Sequence, residues 1–412
     1  MRETKDSGLE WIGEIPAEWG LSKIGRVYRL RNTKVSDTDY PPLSVTNKGI
    51  VPQLDTAAKT NAHDDRKLVR KGDFAINSRS DRRGSCGISD YDGSVSLINT
   101  ILAPLGEMNP GYYDWLFHTV QFGDEFYKFG HGIVDDLWTT GWQDMKKITI
   151  PTPPLAEQRR IADFLDAKCA EIDALTADIQ TQIDTLEQYK RSVITETVTK
   201  GLNPNAEMKD SGIQWIGNMP SHWEVIRGKY ILRYMQKPVR EDDGVITCFR
   251  DGEVTLRSNR REDGFTMSDK EIGYQGIDVG DLVVHGMDGF AGSIGISDSR
   301  GKASPVLNVL DTDQNKRYIM YYLRSMAYSD VFLALATGIR VRSCDLRWNK
   351  LADLSYPVPP MDEQKAIVEH IDAVLAKADA VIADKKAQLA TLDDYKKSLI
   401  FEYVTGKKEV KI

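Results

Sequence analysis

A chain of 412 residues with 41% hydrophobic and 28% charged content is a globular composition too long for one core, which excludes disordered and fibrous classes. It contains no run of about 18 apolar residues, so no transmembrane helix and no membrane partner are expected. A net charge of −7 opposes a general attraction for phosphate, so a nucleic-acid partner requires a local concentration of Lys and Arg. The opening Met1-Arg-Glu-Thr-Lys-Asp6 lacks the apolar core of a signal peptide. The cysteines Cys86, Cys169, Cys248 and Cys344 are scattered, as reduced thiols are, and a cytoplasmic location is expected.

The first element is a motif, Lys5-Asp-Ser-Gly8 followed by Trp11-Ile-Gly13, Pro16 and Trp19. Two tryptophans and a proline so close together predict a packing clasp for the N-terminal segment in preference to a base-stacking platform. Short apolar runs bounded by turn residues follow, among them Asp73-Phe-Ala-Ile-Asn77, which reads as a strand. The aromatic-rich stretch Tyr112–Phe129 has helical spacing. Pro151-Thr-Pro-Pro154 and Leu155-Ala-Glu-Gln158 then open a run without Pro or Gly as far as Lys200. Its apolar positions Ile161, Leu165, Ile172, Leu175, Ile179, Ile183, Leu186, Tyr189 and Val193 keep the near-3.5 spacing of a helix that supercoils with a partner. Gly201–Ala206 is a linker.

Everything then returns. Lys209-Asp-Ser-Gly212, Trp215-Ile-Gly217, Pro220 and Trp223 repeat the opening motif at a displacement of 204. Gly280-Asp281 and Gly292-Ser-Ile-Gly-Ile-Ser-Asp298 repeat Gly72-Asp73 and Gly84-Ser-Cys-Gly-Ile-Ser-Asp90 at 208. The strand Asp281-Leu-Val-Val-His285 and the helix-like Tyr318–Ala336 match their counterparts. Tyr356-Pro-Val-Pro-Pro360 and Met361-Asp-Glu-Gln364 open a second long run, with Ile367, Ile371, Val374, Ala378, Ile382, Leu389, Leu392, Tyr395, Leu399 and Tyr403 on its stripe. Near-constant offsets mean one module copied whole. The predicted fold is therefore two duplicated mixed α/β (α+β) lobes plus long α-helices, joined by an antiparallel intramolecular coiled coil. The expected boundaries are 1–150 and 204–356 for the lobes, 151–203 for the central helix and 357–412 for the C-terminal one.

The motif Asp-Ser-Gly-x-x-Trp-Ile-Gly-x-x-Pro-x-x-Trp, a lobe, and Pro-Pro-x-x-Glu-Gln opening a long helix, all doubled, resembles the specificity subunit of a type I restriction–modification enzyme. The resemblance covers the whole chain. It implies that each lobe is a target recognition domain reading one half of a bipartite double-stranded DNA target. It also implies that the helices act as a spacer and dock two methyltransferase subunits, with restriction/translocase subunits joining the complex. Methyl transfer, ATP hydrolysis and cleavage would reside in those partners, along with S-adenosylmethionine, ATP and Mg; no catalytic residue, cofactor or metal is expected in this chain. The sequence agrees, having no Gly-x-x-x-x-Gly-Lys-Ser/Thr loop, no Asn/Asp-Pro-Pro-Tyr/Phe tetrapeptide and no zinc-ligand spacing. The competing class is a non-enzymatic coiled-coil scaffold whose lobes bind protein.

Candidate DNA contacts are the side chains able to bond phosphates and base edges at predicted loops. In lobe 1 these are Asn47 and Lys48 in one polar turn, then Asn77, Arg79, Ser80, Arg82 and Arg83 between the duplicated strand and Gly84. Arg66–Lys71 reads equally as a solvated face. In lobe 2 the matching loop, His285-Gly-Met-Asp-Gly-Phe290, is nearly stripped of positive charge. The basic candidates there are Arg250, Arg257, Arg260, Arg340, Arg342 and Arg347, with Arg340 or Arg342 expected to read guanine. The lobes share a frame while these loops diverge, which predicts two different half-sites. The glycine pairs Gly84/Gly87 and Gly292/Gly295 are expected to shape a hairpin or a close backbone approach to DNA.

Overall fold

The computed structural model describes residues 2–53, 63–79, 84–133, 138–260, 272–335 and 346–411. Packing divides the chain into two units, residues 1–179 with 386–412 and residues 180–385. Each long helix contributes a half to each unit.

In the first unit, β1 (Gly20–Lys23) and β2 (Tyr28–Leu30) are followed by the hairpin β3 (Leu43–Thr46) and β4 (Gly49–Pro52). Next come β5 (Phe74–Asn77), β6 (Cys86–Ile88), β7 (Asn99–Pro104), α1 (Pro110–Phe117), α2 (Val120–Lys128), β8 (Thr149–Thr152) and the 46-residue α3 (Leu155–Lys200). A four-stranded antiparallel sheet runs β6-β5-β7-β2, with Leu102 opposite both Phe74 and Leu30. All four side chains of β5 are buried, which explains its continuous apolar reading. The aromatic stretch after it is two helices. His118 ends α1 and the Thr119 side chain caps α2 by accepting the Phe122 N–H, a break that helical spacing alone does not reveal.

The second unit repeats this plan with β9 (Glu224–Arg227), β10 (Leu232–Met235), the hairpin β11 (Ile246–Cys248) and β12 (Val254–Leu256), β13 (Leu282–His285), β14 (Ile294–Ile296) and β15 (Leu307–Thr312). It ends with α4 (Lys316–Tyr328), β16 (Ser355–Val358) and the 44-residue α5 (Met361–Val404). The sheet order is β10-β15-β13-β14, and Leu310 stands opposite both Leu282 and Tyr234 in the antiparallel ladders. The helix-like stretch 318–336 likewise breaks, at Asp330, where φ is 54°.

Each core draws on both helices. The first is filled by Ile161, Leu165 and Ile172 of α3 together with Leu399, Ile400 and Val404 of α5. The second takes Ile194 and Val198 of α3 and Ile367 and Ile371 of α5. Tyr112 Oη donates to the Val404 carbonyl at 2.7 Å, and Tyr318 Oη donates to the Val198 carbonyl at 3.2 Å, the same bond at an offset of 206. Within the first unit Lys396 pairs with Asp173 at 2.6 Å and Phe164 stacks on Tyr403; within the second Lys190 pairs with Asp379 at 2.5 Å and Lys385 bonds Gln182. In each unit the partner's number falls as the helix number rises, so the halves run antiparallel.

The Pro-Pro-x-x-Glu-Gln motif is a latch. Gln158 donates from Nε2 to the Pro153 carbonyl at 2.8 Å and accepts the Asn109 N–H at 2.9 Å. Gln364 makes the matching bonds to Pro359 and Asn315 at 2.9 and 3.0 Å. Asn109 and Asn315 in turn cap α1 and α4 through their side chains. One buried amide therefore fixes where each long helix leaves its lobe.

The paired-tryptophan motif is a clasp, with Trp19 and Trp223 no more than 1% exposed. Trp19 Nε1 donates to Glu157 Oε2 at 2.9 Å, and Arg2 grips the same carboxylate at 2.6 and 2.8 Å. The copy differs: Glu363 bonds His222 at 2.8 Å, and the buried Trp223 Nε1 has no partner among the described residues.

Three expected core positions of the helices lie outside. Leu175, Tyr189 and Tyr395 are 47%, 51% and 53% exposed, and Val381, the counterpart of Leu175, is 43% exposed. A pair of helices can cover only one stripe on each, and these residues are off it.

Candidate nucleic-acid interface

The first lobe carries its described candidates on two segments, the two-stranded β3–β4 hairpin and the end of β5 in the four-stranded sheet. The β3–β4 hairpin turns through Asn47 and Lys48, both exposed, with Thr46 Oγ1 accepting the Lys48 N–H at 3.1 Å and donating to the Gly49 carbonyl at 2.9 Å. This hairpin lies against β6 at a close approach, since a Cβ on Gly87 would come within 2.7 Å of Gly49 Cα. Gly87 thus serves hairpin packing, and Gly295, where a Cβ would overlap the Gly252 carbonyl, does the same in the second lobe.

After β5 the chain passes through Asn77, which is 5% exposed and whose Oδ1 accepts the Arg79 N–H at 3.0 Å. Asn77 therefore shapes the turn and is withdrawn from the surface. Arg79 is exposed and bridges Thr139. It lines a groove of about 380 Å³ with Asn32, Lys67, Ile98 and Trp142. Ser80, Arg82 and Arg83 lie outside the described residues, as do Arg340 and Arg342 of the second lobe. Arg66 is neither solvated nor available: it is 3% exposed, and its guanidinium bonds Ser94 Oγ and the Ser94 carbonyl at 2.8 and 3.0 Å. Burial lowers its pKa from the ordinary arginine range.

The second lobe gathers its candidates more tightly. Arg250, Arg257 and Arg260 line one cleft of about 820 Å³ together with Thr247, His285 and Asp288. Arg250 comes from the tip of the β11–β12 hairpin, the counterpart of the turn holding Asn47 and Lys48. His285 and Asp288 come from the segment after β13, the counterpart of the one holding Asn77 and Arg79. The two are tied together, for a Cβ on Gly292 (φ +96°) would lie 2.6 Å from the Arg250 carbonyl, and Arg250 pairs with Asp288 at 3.1 Å. Arg260 stacks on the Phe249 ring at 4.1 Å and is held by Asp251 and Glu253 at 2.7 and 3.0 Å, which raise its pKa, Asp251 first. Arg257 Nε donates to Thr247 Oγ1 at 3.4 Å. Arg347 is exposed and follows Leu346, whose N–H bonds the Gly286 carbonyl at 2.9 Å, so it stands next to the same segment.

Three arginines beside two lining carboxylates make a nearly balanced cleft. Phosphate contacts need unopposed cations, whereas base edges carry both donors and acceptors. The cleft is therefore better suited to reading bases than to gathering phosphates. His285, which charge counting passed over, is part of it, and the signal that could have found it was its position: it aligns with Asn77 at the 208 offset.

Among the described residues no cluster of metal-ligating side chains occurs, and no helix is long and apolar enough to cross a membrane. Cys86, Cys169 and Cys248 are free and buried.

Residues 16–185 match the model of the type I restriction modification DNA specificity domain. The chain is 26% identical over 281 residues to the putative type I restriction enzyme MjaX specificity subunit of Methanocaldococcus jannaschii, covering 65% of this chain and 61% of that protein. It is 25% identical over 342 residues to the MjaVIII specificity subunit of the same organism, covering 77% and 76%. To the EcoBI specificity subunit of Escherichia coli it is 22% identical over 287 residues, covering 63% and 58%. The match thus spans about three fifths of the MjaX and EcoBI proteins. Among solved structures, a chain of a type I R-M system superposes with a TM-score of 0.70 at 14% identity, covering 96% of this chain and 99% of the other. The HsdS subunit from Thermoanaerobacter tengcongensis gives 0.51 at 17%, covering 96% and 98%. At such identities these two likenesses concern the fold alone.

Proposed function

We propose that this chain, which belongs to the specificity subunits of type I restriction–modification enzymes, reads an asymmetric, interrupted DNA target with one lobe per half-site. The observation that carries the reading is divergence at corresponding places on a shared frame. Sheet order, latch and clasp recur at offsets of 204 to 208, yet the hairpin tip offers Asn47 and Lys48 in one lobe and Arg250 in the other. The segment behind it offers Arg79 in one, Asn77 there serving the turn, and His285 and Asp288 in the other. Conserved scaffolding beneath altered contact residues is what two different base sequences require. A single well-placed arginine–guanine contact is worth roughly 1–3 kcal/mol of discrimination.

The two lobes serve as target recognition domains, near 1–150 and 204–356. The long helices form a coiled-coil spacer and carry two copies of one methyltransferase subunit, a stoichiometry that suits a duplicated chain. Methyl transfer, and any ATP-driven cleavage, belongs to the partners, which would bring S-adenosylmethionine, ATP and Mg. The exposed pairs Tyr189 with Val381, and Tyr395 with Leu175, support the docking part of this reading. Each pair lies about level in the helix register, beside the Lys190–Asp379 and Lys396–Asp173 bridges. Apolar side chains with an aromatic at the centre are the usual anchors of a protein interface.

The test is to co-purify the chain with the methyltransferase of its source strain and footprint the complex on a random-sequence duplex pool. Two protected blocks at constant separation are expected. A single block, or capture of protein without any DNA preference, would leave the scaffold reading in its place.

A further inference from the structure

In the second-lobe cleft one imidazole has its two ring nitrogens in different circumstances. His285 ends β13 and lines the cleft with Arg250, Arg257 and Asp288. Its Nδ1 accepts the Met287 N–H at 3.2 Å and the Asp288 N–H at 3.0 Å. A ring nitrogen that accepts two amide protons carries none of its own, so the proton of the neutral imidazole is on Nε2. The nearest carboxylate oxygen to Nε2, Asp288 Oδ2, is 3.9 Å away, beyond hydrogen-bond reach, and that carboxylate is already taken by Arg250. Among the described residues Nε2 has no hydrogen-bond partner. Burial, helped by Arg250 and opposed by Asp288, lowers the His285 pKa and keeps the ring neutral.

We propose that His285 is a specificity-determining residue of the second lobe, offering its Nε2–H as a lone donor to the N7 acceptor of a purine in the major groove. The proposal rests on the DNA-reading function above and assigns one base position within it. A single donor suits N7, which guanine and adenine both carry at the same place in the groove and neither pyrimidine has, so the position is read as purine against pyrimidine. The first lobe shows why this position can carry such a role. Asn77, at the same place in the copy, performs the same backbone duty by accepting the Arg79 N–H at 3.0 Å. The turn therefore requires only an acceptor, and what the side chain presents beyond it is free to differ. Asn77 is 5% exposed and turned to the turn alone, whereas the His285 side chain keeps 22% of its surface open.

The experiment uses the full chain co-purified with its methyltransferase, a random-sequence duplex pool, and sequencing of the bound fraction. His285→Asn retains the turn acceptor, as Asn77 does, and removes the donor at the Nε2 position, its own amide N–H groups lying closer to the backbone. Purine preference at one position of one block is expected to fall about ten-fold, with every other position and the melting temperature unchanged. In parallel, the wild-type complex is assayed on its selected duplex with 7-deazapurines placed one position at a time, which tests the contact without altering the protein. One purine in the affected block should lose about ten-fold in affinity. An unchanged motif in His285→Asn, or a block with no position sensitive to loss of N7, overturns the assignment. Should Arg250→Ala still alter that block, the DNA-reading function stands without His285; should the wild-type chain select no motif, both fall together.

Discussion

Glu157→Ala and Glu363→Ala alter the same position of the two copies but remove different things. Glu157 is 8% exposed and accepts two N–H groups of Arg2, at 2.6 and 2.8 Å, and Trp19 Nε1 at 2.9 Å. Its loss leaves the indole N–H of a tryptophan that is 1% exposed without an acceptor, at a cost of about 1–3 kcal/mol. Arg2 keeps Glu18 and reaches water, so its share is about 1 kcal/mol. The sum is about 2–4 kcal/mol, confined to the unit holding residues 1–179. Among the described residues Glu363 bonds only His222, whose side chain is 51% exposed, and Trp223 Nε1 is unpaired already, so the expected cost of Glu363→Ala is about 0–1 kcal/mol. Hydrogen exchange read by mass spectrometry on residues 4–23 and 208–227, with denaturant melts of each variant, separates the two units. Glu157→Gln, which retains an acceptor for the indole, should fall between wild type and Glu157→Ala. Equal losses at the two positions would refute the assignment of different roles to matching glutamates.

Asp278 is held to a pKa of about 2 by hydrogen bonds from Lys237 first and Arg300 next, against an ordinary 3.8. A carboxylate lowered on folding stabilises above its ordinary pKa, and that contribution fades as pH falls from about 4 toward 2. Asp278→Asn should therefore lower the melting temperature at pH 7, by at most about 4 °C for so exposed a group, with the difference shrinking below pH 4; a constant difference would deny the ion pairing. Tyr189→Ala with Tyr395→Ala should weaken capture of the methyltransferase about ten-fold or more and leave the melting temperature within a few degrees, because both rings are over half exposed. Undiminished capture in a pull-down titration would remove these tyrosines from the interface.

The repeat, the long helices and the strands at Asp73–Asn77 and Asp281–His285 were legible because periodicity and self-similarity are local properties. The work of Gln158 and Gln364 was not, since each amide acts on an asparagine 49 residues upstream. Stripe counting placed Leu175, Tyr189 and Tyr395 in a seam, although a helix face wide enough to include them is more than one partner helix covers. Charge pointed to Arg250, Arg257 and Arg260 one by one, and the hairpin and segment geometry brought them to one cleft. The same criterion set aside His285, a neutral group whose importance lies in which ring nitrogen is occupied, and counted Arg66 as surface, although a strand carries it into the interior.

The most direct measurement is the map of methylated bases in DNA from cells that carry this chain with its methyltransferase and no other modification system. A single motif is predicted, with two blocks of specified bases that differ from one another, separated by a gap of constant length. An uninterrupted motif, a palindrome with identical halves, or methylation indifferent to the removal of this chain would contradict the account.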